Sequence, residues 1–263
     1  MEQQWLNGAV EVAIAAGRLQ RSRLGGEVSI QHKGLKDLVT EVDLASEKII
    51  VDGLMQSFPT HSVLAEEGGL QDLSSSFCWV VDPLDGTTNF AHGFPWFAVS
   101  IALLHRETPC IGVIYNPMTD ELFTAVAGQG AWCNGRRLQV STASTIAGSL
   151  LATGFPYDCA TSPVNNFKEF TLFQRQARGV RRAGAAALDL AYVAKGVFDG
   201  FWEFKLNPWD VAAGVLLVQE AGGMVTDHAG GEYRVSENRI LASNGRIHQE
   251  MVSTLCKENQ LNE

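Results

Sequence analysis

The chain opens on a helical stripe. Leu6, Ala9, Val10, Ala13, Ala16 and Gly17 recur at spacings that place them on one face of an amphipathic helix. A second stripe, Leu44, Val51, Leu54, Met55 and Phe58, predicts a helix over 41–57 that Pro59 stops. Short apolar runs follow at 62–64, 78–81, 97–104, 110–115 and 122–126. Turn residues such as Asn116-Pro117 and Asn134-Gly135 divide them, which is the punctuation expected between strands. Residues 1 to about 140 therefore read as a hairpin-rich, mainly antiparallel sheet covered by two helices.

Beyond that point the periodicity alternates. Strands are predicted at 149–153, 197–204, 224–227 and 240–242, and helices at 166–178, 185–194 and 208–221. The last helix has Pro208 at its start and Gly222-Gly223 just past its end, the asymmetry that helix termini prefer. No repeat and no linker-like stretch interrupts the chain. The expectation is an α/β (α+β layered) fold with alternating helix and sheet layers. It forms one unit over residues 1–263, softly divided near Val140 into halves 1–140 and 141–263 that share an interface.

Composition narrows the function classes. With 46% hydrophobic and 19% charged residues, the chain has globular rather than disordered composition. Twenty Lys and Arg against 29 Asp and Glu leave a net charge of −9, which argues against a general binder of nucleic acid or anionic membrane. The five cysteines, Cys78, Cys110, Cys133, Cys159 and Cys256, are odd in number and show no CxxC spacing. They predict neither a disulfide framework nor a zinc ribbon, and they fit a reducing, cytoplasmic compartment. The opening MEQQWLNGAVEVAIAAGR has an early acid and no basic leader, unlike a secretory signal. Two uncharged stretches, 86–105 and 138–157, are broken by Gly, Pro, Asn or several Ser and Thr, so no membrane span is expected.

The densest chemistry is DPLDGTTNF at 82–90, directly after the apolar CWVV. Alone, a strand ending in Asp-Pro and Asp-Gly is a turn. Its company changes the picture. Glu66-Glu67 also follows a short strand, and Trp209-Asp210 opens a helix, positions where α/β proteins gather functional groups. If Glu66, Asp82, Asp85 and Asp210 converge, each pair of charges about 4 Å apart costs roughly 4 kcal/mol at an effective dielectric of 20. Hard divalent cations relieve that repulsion, and an all-oxygen set suits Mg²⁺ or Mn²⁺ rather than zinc. Two such ions about 3.5–4 Å apart form the usual clamp for in-line phosphoryl displacement. The amides of Gly86, Thr87 and Thr88, at a predicted helix start, offer donors to a phosphate.

These residues also carry a likeness. AEEG at 65–68, WVVDPLDGTTNF at 79–90 and NPWDVAAGVLLVQEAGG at 207–223 resemble the inositol monophosphatase family. That family belongs to the lithium-sensitive, magnesium-dependent phosphatases that include fructose-1,6-bisphosphatase. The resemblance continues through DLVTEVDLASEK at 37–48, GQGAWCNG at 128–135 and LLATGFP at 150–156. It extends through RRAGAAALDLAYVAKGVFDGFWE at 181–203 and LASN at 241–244, so it covers nearly the whole chain. It implies the fructose-bisphosphatase/inositol-monophosphatase-like sandwich and hydrolysis of a small polyol or sugar phosphate, inositol monophosphate foremost. Two or three Mg²⁺ per site, with Mn²⁺ as substitute, and a homodimer are implied as well.

Carried over by position, the resemblance implies that Glu66, Asp82 and the carbonyl of Leu84 hold a first metal. Asp82, Asp85 and Asp210 hold a second, and a third, weaker ion shares Glu66. Thr87 matches the hydroxyl that orients the attacking water, and Asp43 the carboxylate that fixes it, so Thr87, Asp43 and Glu66 are the implied catalytic residues. Substrate contacts are implied at Asp85, Gly86, Thr87, Gly184, Ala186, Glu203 and Asp210. Lys33, four residues before Asp37, matches an upstream lysine only loosely.

Several residues have plainer readings. Asp43 is also an acid in a helix's first turn, Glu203 a strand-end acid and Glu67 a solvated neighbour. His61, His92, His105 and His228 show no ligand spacing and read as structural or surface residues. Trp5, Trp79, Trp96, Trp132, Trp202 and Trp209 read as core or interface. Arg175, Arg178, Arg181 and Arg182 form the local basic cluster, a subunit-contact or solvated face or a contact for a second anion.

Alternative substrates are a nucleotide 3′-phosphate (3′-phosphonucleotide), fructose-1,6-bisphosphate and histidinol phosphate, with 156–165 the segment where family members diverge. The Asp-x-Asp-Gly-Thr pattern of haloacid-dehalogenase-type phosphatases does not fit, because Pro83 and Leu84 both separate the acids. A non-enzymatic alternative is a regulatory protein that binds the transcription machinery. The net charge points such a role to protein contact rather than to direct nucleic-acid binding.

Overall fold

The two leading stripes form helices α1 (Glu2–Arg23) and α2 (Glu41–Ser57) in the computed structural model, which describes residues 1–32, 34 and 38–256. Lys33 and Asp37 lie outside the described residues. Small side chains on these helices permit close approach. A Cβ on Gly53 of α2 would fall 2.5 Å from Val12 of α1, and one on Gly17 would fall 2.5 Å from the Tyr115 ring. Between the helices, β1 (Ile30–His32) pairs antiparallel with β2 (Leu38–Thr40). Thr40 then caps α2: its hydroxyl accepts the Val42 and Asp43 amides, and Asp43 returns a bond to the Thr40 amide, a complete capping box.

The next runs build a large sheet from β3 (Ser62–Ala65), β4 (Gly69–Gln71), β5 (Phe77–Asp85), β6 (Ala98–His105), β7 (Thr108–Asn116), β8 (Glu121–Val126), β9 (Gly130–Cys133) and β10 (Arg136–Arg137). Its order is β10-β9-β8-β7-β6-β5-β3-β4, and every pairing is antiparallel except β3 with β5. Both faces are buried, so β5 reads as a continuous apolar run rather than an alternating one. Trp79 and Val81 meet α1 and α2, whereas Val80 faces the opposite core. Helix α3 (Thr87–Ala91) sits between β5 and β6.

The second half supplies β11 (Leu150–Thr153), α4 (Phe167–Gln176), β12 (Gly179–Arg181), α5 (Ala186–Ala194), β13 (Gly200–Phe204), α6 (Pro208–Glu220), β14 (Met224–Thr226), β15 (Arg239–Ser243) and α7 (His248–Cys256). The small sheet runs β12-β11-β13-β15-β14, with β11 parallel to both its neighbours and the rest antiparallel. Helices α5 and α6 are apolar on nearly every side because they lie between the two sheets, in one core with Val80, Ile114, Phe123, Phe201 and Ala242. A Cβ on Gly214 of α6 would fall 2.5 Å from Leu190 of α5. Core residues of α4 and α7, Phe173 and Met251 among them, cover the outer face of the small sheet with Trp202 and Leu241. The layers thus run helix, sheet, helix, sheet, helix, the layered α/β arrangement expected.

Some boundaries differ from expectation for local reasons. The predicted strand at 197–204 starts only at Gly200, because Gly196 turns with φ +74° and the amides of Val197 and Phe198 close on the Tyr192 carbonyl. Helix α7 and the strands β1, β2, β4, β9, β10 and β12 were not predicted. These strands run two to four residues, too short to show a period. No helix among the described residues is long and apolar enough to cross a membrane.

Candidate active site

Strand ends and helix starts from both sheets open on one cleft of about 450 Å³. Glu66 follows β3, and its amide bonds the Val81 carbonyl of β5 at 3.1 Å. Asp82 and Asp85 flank a break in the β5–β6 register that lifts Pro83-Leu84 out of the ladder. Asp82 Oδ1 accepts the Leu84 amide at 2.9 Å, and the Leu84 side chain anchors the loop among Val42, Phe90 and Phe97. Asp85 accepts the amides of Ala186 at 3.2 Å and Ala187 at 2.8 Å, so it caps α5 from across the cleft. Gly86 has φ +94°, and a Cβ there would lie 3.0 Å from the Trp96 carbonyl, so only glycine fits.

Thr87 opens α3. Its hydroxyl lies 2.8 Å from Asp43 Oδ1 and 3.0 Å from the Leu84 carbonyl, and its single proton serves one acceptor at a time. The other oxygen of Asp43 accepts the Thr40 amide at 2.9 Å and the Thr40 hydroxyl. Both readings of Asp43 therefore hold at once: it completes the cap of α2 and fixes Thr87.

Asp210 occupies the first turn of α6, where its carboxylate accepts the Asn207 amide at 2.6 Å. Glu203 is buried on β13 beside Gly154. Asn166 ties these strands together. Its Nδ2 donates to Thr153 Oγ1 at 2.8 Å and to the Gly154 carbonyl at 2.6 Å, while Trp202 Nε1 donates to its Oδ1 at 2.7 Å. Gly184 and Ala186 also line the cleft. The Asn89 side chain holds the Gly184 strap through the carbonyls of Ala183 at 2.9 Å and Trp96 at 2.7 Å.

Sequence reasoning missed the braces behind these loops. Gln20 Nε2 on α1 donates to the Pro83 carbonyl at 2.6 Å, and Glu47 Oε2 on α2 accepts the Glu67 amide at 2.8 Å. Both residues continue the apolar stripes of their helices, where a polar side chain needs an internal partner; that was the available signal. Glu67 is thus a backbone anchor rather than only a solvated neighbour. Asp189 of α5 was also missed: it is buried, lines the cleft, and its Oδ1 has no partner.

The basic cluster divides. Arg175, Arg178 and Arg181 are exposed outside the cleft, whereas Arg182 lines it. The histidines match expectation: His61 stacks on Phe58 and Phe77, His105 stacks on Phe77, and His228 is buried against Phe204. Trp79 and Trp202 are core, while Trp209 lines the cleft beside Asp210.

The cleft is strongly acidic. Seven carboxylates (Glu66, Asp82, Asp85, Asp158, Asp189, Glu203, Asp210) line it against two cations, Arg182 and Lys205. Burial, and then the charges of Glu66, Asp85 and Asp210, push the Asp82 carboxyl well above its ordinary range. Burial likewise raises Asp210, opposed by the Asn207 amide and reinforced by Asp85, Glu66 and Glu203. Burial lifts Asp85 to about 6 although the α5 amides and Arg182 pull it down, and lifts Glu203 to about 8 against the pull of Arg182. Burial, Glu203 and Asp85 raise Asp189 well above its range. Burial also raises Asp43, with the bonds from Thr40 and Thr87 opposing.

Known proteins share this fold and much of this sequence. The profile of the Inositol monophosphatase family matches residues 1–260. The chain belongs to that family. It is 48% identical over 256 residues to the inositol-1-monophosphatase of Synechocystis, covering 97% of this chain and 89% of that one. It is 46% identical over 261 residues to the Nus factor SuhB of Pseudomonas aeruginosa, covering 96% of each. Among solved structures, the inositol monophosphatase of Anabaena (Nostoc) superposes with a TM-score of 0.89 at 45% identity, covering 97% of this chain and 96% of that one. The family is one of phosphatases, so the acidic cleft belongs to an enzyme that hydrolyses phosphate esters.

Proposed function

We propose that this chain is a magnesium-dependent phosphomonoesterase acting on inositol monophosphate or a similar small polyol phosphate by direct attack of water. The observation that carries the reading is the meeting of Glu66, Asp82, Asp85 and Asp210 with the Thr87–Asp43 pair in one acidic cleft. Similarity to an enzyme named inositol-1-monophosphatase supports the substrate class.

The donor set fits divalent metal. Its donors are hard oxygens, and the burial that chiefly lifts Asp82 and Asp210, with the carboxylate repulsion that adds to it, is the kind of penalty a cation relieves. Among the described residues no three His, Cys, Asp or Glu side chains form a ready-made metal cage. The carboxylates instead line an open cleft, which leaves positions for water and substrate oxygens. Glu66, Asp82 and the Leu84 carbonyl would hold one ion, Asp82, Asp85 and Asp210 a second, and Glu66 would share a third. Mg²⁺ is the proposed metal, Mn²⁺ its substitute and Li⁺ an inhibitor. When bound, the ions neutralise charge on the phosphoryl oxygens and acidify water.

The chain's own groups do the positioning. Asp43 holds the Thr87 rotor, so the hydroxyl can pass its proton to Asp43 and accept one from the attacking water. Asp85, braced on two amides of α5, keeps the metal side of the cleft aligned with the Gly184–Ala186 strap. Glu203 and Arg182 meet the alcohol end, where a carboxylate accepts a ring hydroxyl.

The test is phosphate release from inositol 1-phosphate and a panel of other esters, with Mg²⁺ and with added Li⁺. Asp85→Asn and Asp210→Asn, verified as folded by circular dichroism, should lose at least about 1,000-fold in turnover. Full turnover in either variant would remove the metal assignment.

One relative's name favours a second role. Similarity to a protein named Nus factor SuhB supports contact with the transcription machinery, through protein rather than direct nucleic-acid binding given the net charge of −9. Pull-down of RNA polymerase by the wild type and by Asp85→Asn separates that contact from catalysis; no capture by either removes the role. A homodimer and a cytoplasmic location complete the proposal, the latter supported by five free cysteines. Light scattering that gives a monomer would remove the dimer.

A further inference from the structure

Lys205 follows β13 two residues after Glu203, in an unusual backbone state. Its φ is +60°, a conformation that long side chains rarely adopt. Seven non-glycine residues with positive φ occur among the described residues, and of these Lys205 alone lines the cleft. Its amide is pinned to the Asn238 carbonyl at 2.6 Å, so the turn is held from the far side. The side chain crosses the alcohol end of the cleft to the loop after β11. There Nζ donates to both carboxylate oxygens of Asp158, at 2.9 and 2.7 Å, and to Ser162 Oγ at 2.7 Å. All three ammonium protons have acceptors.

A satisfied ammonium is a poor anchor for substrate, but it is a good strap for a loop. The segment it holds turns on itself through the Cys159, Thr161 and Ser162 amides, and it carries Tyr157, which lines the cleft next to Asp158. We infer that the Lys205–Asp158 clasp is a specificity-determining element: it sets the width of the alcohol end by fixing Tyr157, which lines the same cleft as Glu203, and so favours a compact ring alcohol over a small flexible one. This rests on the phosphatase reading proposed above. Two features make the clasp more than scaffolding. It joins the end of the strand that carries Glu203 to the segment that carries Tyr157, two segments that both line the cleft, and both its partners are partly exposed, with side-chain accessibilities of 31% and 54%. An exposed pair is screened by salt, so a selectivity that depends on it depends on ionic strength too.

The test compares kcat/KM for inositol 1-phosphate with that for glycerol 2-phosphate, since the phosphate contributions cancel in the ratio. Lys205→Gly, which suits the positive φ, and Asp158→Asn, at an exposed site, are each expected to lower the ratio at least fivefold, mainly through KM for the ring ester. The exchange Asp158→Lys with Lys205→Asp is expected to restore it at least in half. In the wild type the ratio should fall as NaCl rises from 0.05 to about 0.5 M, where the Debye length drops below roughly 5 Å, and Lys205→Gly should show no such slope. Unchanged ratios in both single variants, an equal loss on both esters, or an exchange that restores nothing would overturn the clasp. A wild type that hydrolyses neither ester would overturn the phosphatase reading and this inference together.

Discussion

A Cβ on Gly154 would lie 2.0 Å from Oε1 of Glu203 and 2.3 Å from its Cδ. The carboxylate that faces the alcohol end of the cleft therefore occupies the space of a missing side chain. Gly154→Ala has no φ penalty to face, since its backbone is outside the left-handed region, so its whole effect falls on Glu203. KM for inositol 1-phosphate should rise about tenfold or more, equivalent to at least about 1.4 kcal/mol. Steady-state kinetics beside Glu203→Gln checks this: an unchanged KM in Gly154→Ala would mean that Glu203 does not read the substrate.

Thr87→Ala removes the hydroxyl that sits between Asp43 and the Leu84 carbonyl. Turnover should fall by about 100-fold or more, the scale of a lost proton-transfer group, while Mn²⁺ affinity measured by electron paramagnetic resonance stays within a few-fold. Asp43→Asn should lose turnover and also about 1 kcal/mol of stability through the capping box. Thr40→Ala should show the stability loss with the smaller loss of rate. Parallel thermal unfolding and kinetics separate the two roles of Asp43.

Gln20→Leu tests the brace behind the acidic loop. The substitution frees the Pro83 carbonyl, but it also removes Gln20 Oε1, which is buried without a partner. Those effects oppose, so stability should change by no more than about 1 kcal/mol. Metal affinity should nevertheless fall about tenfold, as expected when a supporting bond behind ligands is lost. A calorimetric Mn²⁺ titration with unaltered affinity would show that the loop holds its shape without Gln20.

His228 should give acid its purchase on the fold. Its Nε2 lies 3.0 Å from the Ile240 carbonyl, and burial lowers its pKa from 6.5 to about 4. Between those values the unfolded chain binds the proton and the folded chain does not, so stability is lost as pH falls from about 6.5 towards 4, by at most about 3 kcal/mol from this group. The raised carboxylates of the cleft act with the opposite sign, because their folded forms hold protons more tightly. The comparison is therefore between variants: the urea midpoint of His228→Gln should depend less on pH than that of the wild type over this window. Equal slopes would refute the assignment.

Much of this protein was legible along the chain because its signals are local. The second helix runs Glu41–Ser57 as its stripe and Pro59 predict, and the apolar runs became strands because turn residues bound them on both sides. The acids at 66, 82, 85 and 210 stand out as candidates for the same reason: each lies at a strand end, at the register break of β5 or at a helix start, and position along an element is encoded nearby. What only the folded chain decided is contact between distant segments. That Gln20 supports Pro83, that Gly154 makes room for Glu203, that Arg182 leaves its basic neighbours for the cleft, and that Lys205 reaches Asp158 follow from which layers stack on which. Periodicity assigns a residue to a face but not to the partner that face will meet, because that partner is selected by packing across the whole core.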